Sequence, residues 1–76
     1  MLMAPKKLSL TAELIPQKEG GFTVWCPELD IYTQGETEKE SLQNLREAAL
    51  LHLEEIGPQN LVLNSVRRRT IELPLQ

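Results

Sequence analysis

The amino-acid sequence predicts an α+β fold, a two-layer βββαβ sandwich in which one helix covers a small sheet. Three observations lead to this class. Short apolar segments bounded by Gly or Pro occupy the chain before residue 35 and indicate three strands. Residues 37–56 repeat apolar side chains at helical spacing. Residues 66–73 form a last strand-like segment. The chain has 76 residues, and we expect one domain spanning 1–76.

The first two strands are predicted to form a hairpin. Lys7–Ile15 carries apolar residues at alternate positions, which places them on one face of a sheet. Those residues are Leu8, Leu10, Ala12 and Leu14. Pro16–Gly21 is rich in turn-forming residues and closes the hairpin. In the second strand, Phe22–Cys26, alternate residues face the core and Trp25 takes the opposite side. Trp25 and Ile15 are therefore the apolar residues expected on the polar face.

A short third strand and a long helix follow. Pro27 ends the second strand because proline has no amide hydrogen to donate to the neighbouring strand. Ile31–Gln34 is then the third strand, and Gly35 ends it. The helix is predicted to begin after the N-cap Thr37 and to run to about Ile56.

The helix has recognisable start and stop signals. The Thr37 hydroxyl is placed to accept a hydrogen bond from the first turn, and Glu40 completes a capping box. Gly57 is expected to supply a left-handed C′ residue, and Pro58 blocks continuation. The predicted buried stripe consists of Leu42, Leu45, Ala49, Leu53 and Ile56.

The segment after the helix has a weaker pattern. We predict a last strand over Val66–Leu73, with Ile71 and Leu73 on one side and Pro74 as its end. Strand alternation would divide the three consecutive arginines at 67–69 between two faces.

Composition limits the ways in which this small domain is stabilised. The single cysteine, Cys26, excludes an internal disulfide, and Cys26 with His52 does not make a metal cluster. No metal and no cofactor are expected. A lone cysteine fits a reducing cytosol, so we expect a cytoplasmic protein with no membrane span. Oligomerisation is the remaining route to a larger core. The net charge of −3 argues against generic nucleic-acid binding and is compatible with a basic partner.

The sequence does not predict an enzyme. A two-metal site needs converging carboxylates, but those here lie mainly at the helix start, on its solvated face and in a turn. Glu13 is the one on the polar face of a strand. Cys26 is interpreted as a small buried hydrophobe, and His52 as a residue at the rim of the apolar stripe. For neither residue does the sequence indicate the partner, a base or a nucleophile, that nucleophilic catalysis needs.

The candidate interface consists of apolar residues that face away from the predicted core side of their strand or helix. Trp25 on the uncovered sheet face is a good interface anchor, and Ile15 shares that face. Leu51 lies nearly opposite Ala49 on a helical wheel. We therefore expect a homodimer anchored by Trp25, or a tetramer that also uses Leu51. The predicted interface residues for oligomer or partner are Trp25, Leu51, Ile15, Arg67 and Arg69.

The segment Gly21–Gly57 resembles the HicB-type antitoxin family of prokaryotic toxin–antitoxin systems. The pattern is an aromatic-Val strand, Pro, an acidic turn, a short strand, a Gly-x-Thr cap and an amphipathic helix. The residues that fall on it are Phe22, Val24, Pro27, Leu29, Gly35, Thr37, Glu40, Ser41, Asn44 and Ala48. The resemblance covers about half the chain. It implies a single HicB-like domain with a fold like a trimmed ribonuclease H and a small basic RNA-cleaving toxin as partner.

Two departures from the family pattern affect what is expected. Glu36 stands where Asp is commoner. Many family members also carry a C-terminal module for operator DNA, and nothing after Gly57 has its length or period, so DNA binding by this chain alone is not expected. The leading hypothesis is a non-enzymatic antitoxin that binds and neutralises the toxin. The alternatives are an orphan oligomeric protein-binding module of the same fold and a ribonuclease H-like remnant enzyme.

Overall fold

The computed structural model describes residues 7–75 and has an α+β architecture with the element order βββα. Its elements are strands β1 (Glu13–Pro16), β2 (Phe22–Cys26) and β3 (Ile31–Gly35), helix α1 (Glu38–Ile56) and a 3₁₀ turn, Pro58–Asn60. The three strands form an antiparallel sheet in the order β1-β2-β3. Helix α1 packs on one face of this sheet, mainly against β3 and β2. The predicted fold class, two layers and first four elements are therefore confirmed.

Strand β1 is shorter than the predicted Lys7–Ile15. The ladder with β2 begins at the Glu13–Trp25 pair. The same register would place Thr11 opposite Pro27, which has no amide hydrogen to offer. Instead, the amide of Thr11 donates to the Glu28 carboxylate at 2.9 Å. Residues 7–12 therefore leave the sheet, although their apolar side chains at positions 10 and 12 still pack against the core.

Helix α1 starts as its sequence predicts. Thr37 is the N-cap, and its hydroxyl accepts from the amide of Glu40 at 3.0 Å. The Glu40 carboxylate reaches back to the amide of Glu36 at 2.7 Å, one residue earlier than in a standard capping box. At the other end Gly57 has the expected positive φ of 82°, but its ψ of 136° lies outside the left-handed helical well. The amide of Gly57 closes the last turn on the Leu53 carbonyl at 2.9 Å.

The first turn of α1 lies directly on the end of β3. A Cβ placed on Gly35 would come within 2.5 Å of the Ser41 amide nitrogen, so only glycine allows this approach. Ser41 is fully buried there, and its hydroxyl donates to the Glu38 carbonyl at 2.8 Å. Asn44 adds a second link by donating to the Gln34 carbonyl at 2.6 Å. Ser41 belongs to the buried face although it was not in the predicted apolar stripe.

The core lies between β2 and α1. Its buried apolar residues are Val24, Cys26, Leu45 and Ala49. Partly buried side chains surround them, namely Leu10, Ala12, Leu14, Leu29, Ile31 and Leu42. Leu53 and Ile56, also predicted for the stripe, are only half-buried. Few residues are fully enclosed, as expected for a domain of this size.

The predicted last strand, Val66–Leu73, is wrong. Residues 61–75, here called the arm, contain no helix or strand. Alternation alone does not make a strand, because a strand needs a partner at a sheet edge. The arm instead crosses one end of the sheet: the Asn64 amide donates to the Glu28 carbonyl at 2.8 Å, and Arg68 pairs with Glu13 on a sheet face. The chain's radius of gyration is 15.9 Å, against about 11 Å for a compact domain of this length.

Candidate protein-binding site

The sheet has a second face, opposite α1, that no helix or strand of residues 7–75 covers. The register between the strands arranges it in two rows of three side chains. One row is Glu13, Trp25 and Tyr32, and the other is Ile15, Thr23 and Gln34. We call these six residues the open face. The predicted placement of Trp25 and Ile15 on the side opposite the core is confirmed, since their neighbours Val24 and Leu14 face α1.

An aromatic pair forms the centre of the open face. The rings of Trp25 and Tyr32 stack with their centroids 5.9 Å apart and their planes 15° from parallel. Tyr32 is 62% exposed and Ile15 47% exposed, whereas Trp25 is half-buried. Large, rigid aromatic side chains give up little conformational entropy on binding, which makes such a pair a suitable anchor for another protein.

The turn between β2 and β3 fixes the orientation of Trp25. Asp30 is the one non-glycine residue with a positive φ, 54°, among residues 7–75. Aspartate tolerates this left-handed conformation better than most residues. Its Oδ1 accepts from the Trp25 indole nitrogen at 3.2 Å. The turn therefore orients the indole and places a carboxylate at its edge.

Two acidic residues lie beside the aromatic pair. Glu13 lies in the same row as Trp25 and Tyr32, and Asp30 lies at the end of the two strands. Arg68 of the arm reaches Glu13 with a nitrogen–oxygen distance of 3.1 Å. This hydrogen bond and the charge of Glu13 raise the pKa of the Arg68 guanidinium. The pair is largely exposed, and such a surface ion pair contributes little to stability.

The charge of the chain is divided unevenly. Residues 7–60, here called the body, contain four Lys or Arg and ten Asp or Glu, a net charge of −6. The arm contains three Arg and one Glu, a net charge of +2. The net charge of the body therefore favours the approach of a positively charged partner, particularly at low ionic strength.

The other predicted interface residues lie apart from the open face. Leu51 is 58% exposed on α1. Arg67 and Arg69 are exposed on the arm, and Arg69 donates to the Arg68 carbonyl at 2.9 Å. The arginine that contacts the open face is Arg68, which was not in the predicted set. The structure therefore brings together two of the five predicted residues, Trp25 and Ile15.

Tyr32 and Asp30 were not predicted from the sequence. Their signal lay in the turn, because four residues between Cys26 and Ile31 set a register in which Tyr32 faces Trp25. Residues that pair across two strands share a face of the sheet, so this register places Tyr32 on the same face as Trp25. Asp30 closes that turn just before β3, where an aspartate is a common residue.

The two groups considered for nucleophilic catalysis, Cys26 and His52, lie away from the open face. Cys26 is buried beneath the sheet, as predicted, and burial raises the pKa of its thiol. Its Sγ lies 3.7 Å from the Glu28 carboxylate, and His52 is half-buried on α1. Within residues 7–75 no group of three or more His, Cys, Asp or Glu is placed to hold a metal ion. The only α-helix of that stretch, α1, does not combine the length and the apolar character needed to cross a membrane.

Comparison with known proteins adds no relative to this description. No family model, curated protein or solved structure matches the chain.

Proposed function

We propose that this protein is a non-enzymatic, cytoplasmic HicB-like antitoxin whose open face binds and occludes a small basic RNA-cleaving toxin. The observation that carries the proposal is the stacked pair of Trp25 and Tyr32 on an uncovered sheet face with carboxylates at its edge. The proposal also rests on the resemblance of Gly21–Gly57 to the family. That resemblance implies a fold like a trimmed ribonuclease H, and we extend it to this chain.

Charge and shape favour a basic protein over other ligands. The body carries a net charge of −6, which repels nucleic-acid phosphates and attracts lysine- and arginine-rich surfaces. The open face is a broad sheet surface rather than an enclosed cavity, which suits a protein surface better than a small molecule. Arg68 already pairs with Glu13 in this chain. A basic residue of the partner would form the same kind of contact with these carboxylates.

The test is co-expression with the short basic protein encoded by the adjacent reading frame. We expect a stable complex, and we expect an equimolar amount of this protein to suppress RNA cleavage by the partner. Trp25→Ala should weaken binding by at least about 30-fold, since truncating a central aromatic anchor typically costs 2 kcal/mol or more. The association rate should fall as salt is raised.

Leu51→Ala is the control, because Leu51 is about as exposed as Tyr32, 58% against 62%, but lies on α1. It should bind the partner with wild-type affinity. A complex that withstands both Trp25→Ala and Tyr32→Ala would remove the open face from the proposal. If the adjacent frame encodes no short basic protein, the alternative of an orphan oligomeric binding module replaces the antitoxin.

The proposal also requires that the purified protein does not cleave RNA. We expect no hydrolysis of RNA with Mg²⁺ or Mn²⁺ present. Metal-dependent cleavage that disappears in Glu13→Gln would instead support the ribonuclease H-like remnant enzyme.

A further inference from the structure

We propose that two copies of this chain exchange their arms, so that Ile71 and Leu73 of each copy fill an apolar cleft on the helix side of the other. The inference concerns self-association and stands whether or not a toxin partner exists. It differs from a dimer anchored by Trp25, because the open face takes no part in it.

The cleft lies between the segment before β1 and one side of α1. The cleft has a volume of about 570 Å³. It is lined by Leu8, Leu10, Ala12, Leu42, Leu45, Arg46, Ala49, Leu50 and Leu53. Arg46 is the only charged residue of that lining. Leu50 at the rim is 55% exposed, so apolar surface is accessible to a second molecule.

The arm carries the matching apolar surface. Ile71 and Leu73 are 78% and 74% exposed. In an extended chain, residues two apart point to the same side, so these two side chains form one apolar edge. With the arm extended in the cleft, Glu72 would point away from it. A segment with two such apolar side chains is the kind that docks into a groove of another molecule.

Within its own chain the arm is held on the other side of the sheet. Asn64 donates to the Pro27 carbonyl at 3.2 Å and to the Glu28 carbonyl at 2.8 Å. Arg68 then pairs with Glu13, which lies on the open face, whereas the cleft lies on the helix side. These contacts direct the arm away from its own cleft and leave Ile71 and Leu73 exposed, so that they can reach the cleft of a second copy.

Net charge favours the approach of an arm to the body of a second copy. The arm has a net charge of +2 and the body a net charge of −6, so each arm is attracted to the body of the other copy. Exchange of arms is also reciprocal: both clefts are filled by one two-fold operation, which gives a closed dimer.

Sedimentation of matched variants tests the proposal. Wild type should be a dimer at about 50 μM, a concentration at which a dimer with a Kd near 1 μM is mostly assembled. The double variant Ile71→Asp, Leu73→Asp should raise the dimer Kd at least about 30-fold, and Leu50→Asp should do the same. The controls are Val62→Asp, at an arm position that is 80% exposed, and Leu51→Asp, next to Leu50 on α1. Both controls should stay dimeric.

Disulfide crosslinking between differently tagged copies identifies the contact itself. A copy with Leu50→Cys and a copy with Ile71→Cys should form a mixed disulfide on oxidation, whereas Leu51→Cys and Ile71→Cys should not. The native Cys26 is buried and does not compete. All substituted positions are exposed, so circular dichroism should show unchanged folding.

Three results would overturn the proposal. The first is a wild-type monomer at that concentration. The second is a dimer that Trp25→Ala dissociates and Leu50→Asp does not, because the interface would then be the open face. The third is a chain carrying both Leu50→Cys and Ile71→Cys that closes on itself at high dilution, because the arm would then fill its own cleft.

Discussion

At the scale of single residues, two positions of the fold, 30 and 35, place special demands on the backbone. Asp30 adopts a positive φ, which shapes the turn, and its side chain accepts a hydrogen bond from Trp25, which orients the indole. Gly35 lets the first turn of α1 approach β3. Both residues stand at the ends of β3, the strand that leads into α1.

Gly35→Ala should destabilise the protein by about 1–3 kcal/mol, the usual cost of overpacking. The added Cβ would lie 2.5 Å from the Ser41 amide nitrogen and 2.7 Å from the Ser41 Cα, and neither backbone atom can rotate away. Urea denaturation measures the loss. Gln34→Ala, one residue earlier on the open face, is the control and should unfold close to wild type. Equal midpoints for both variants would contradict the close approach.

Cys26 should react slowly with iodoacetamide in the folded protein. Burial raises the pKa of its thiol above the ordinary value of 9.0, which reduces the thiolate fraction near neutral pH, and the side chain is fully enclosed. Mass spectrometry at mildly alkaline pH should show fast alkylation in urea and little in buffer. Equal rates in the two conditions would mean that the sulfur is accessible in the folded state.

At the scale of elements, helix α1 supplies most of the covered face, but its buried surface is narrow. Ser41, Leu45 and Ala49 are its buried residues, one per turn. The flanking positions are half-buried or exposed. The helix therefore depends on its end contacts with β3 as well as on its apolar stripe.

Leu45→Ala should cost about 2–5 kcal/mol, because it removes a buried side chain and leaves a cavity in the core. Leu51→Ala is the matched control on the same helix, at a position that is 58% exposed rather than 6%. It should change stability by less than about 0.5 kcal/mol in the monomer. Thr37→Ala should lie between the two at roughly 1 kcal/mol through the lost cap. A neutral Leu45→Ala in urea melts would place the buried face elsewhere.

The link between residue 11 and the β2–β3 turn should make stability depend on pH. The hydroxyl of Thr11 donates to the Glu28 carboxylate at 2.6 Å, and this hydrogen bond, with that from the Thr11 amide, lowers the pKa of Glu28 below its ordinary 4.5. The unfolded chain then takes up the proton at higher pH than the folded one. The stabilisation is complete above pH 4.5 and is lost as the pH falls through the lowered value.

Comparison with Thr11→Val isolates this contribution, because that change removes the hydroxyl and keeps the amide donor. Thr11→Val should be less stable than wild type at neutral pH, and the difference should shrink as the solution is acidified to about pH 3. Thermal melts at a series of pH values measure it. A difference that stays constant with pH would show that Thr11 acts by packing rather than through the Glu28 carboxylate.

At the scale of the whole molecule, the acidic body and the basic arm are separate in charge and in structure. The body forms the two layers, and the arm is attached to it through Asn64 and Arg68. The apolar residues beyond Arg68 remain exposed, as does Tyr32 of the open face. The open face and the cleft beside α1 are thus two accessible surfaces on opposite sides of the sheet.

Sequence patterns predicted the parts of the fold that local interactions decide. The N-cap Thr37, the end of α1 and the side on which Trp25 lies all follow from neighbouring residues. The length of β1 was not predicted, because it depends on which residue of the partner strand faces Thr11. The arm was predicted as a strand because the alternation at Ile71 and Leu73 resembles one. Whether such a segment pairs depends on a sheet edge that is distant in the sequence.

The candidate site was predicted only in part, because some of its contacts join segments that are distant in the sequence. Trp25 and Ile15 follow from alternation within one strand, but Tyr32 required the register between two strands. Arg67 and Arg69 were chosen on the assumption of a strand. Without that strand, Arg68 contacts Glu13 instead.

Trp25 is the single tryptophan of the chain, and it lies on the open face beside Tyr32 and Asp30. The fluorescence of the unlabelled protein therefore reports on that side of the sheet. A partner that covers the aromatic pair removes water from the indole and should shift its emission to shorter wavelength. An arm docked beside Leu50, beyond the sheet, should leave the emission unchanged. One optical titration thus distinguishes the two surfaces without any modification of the protein.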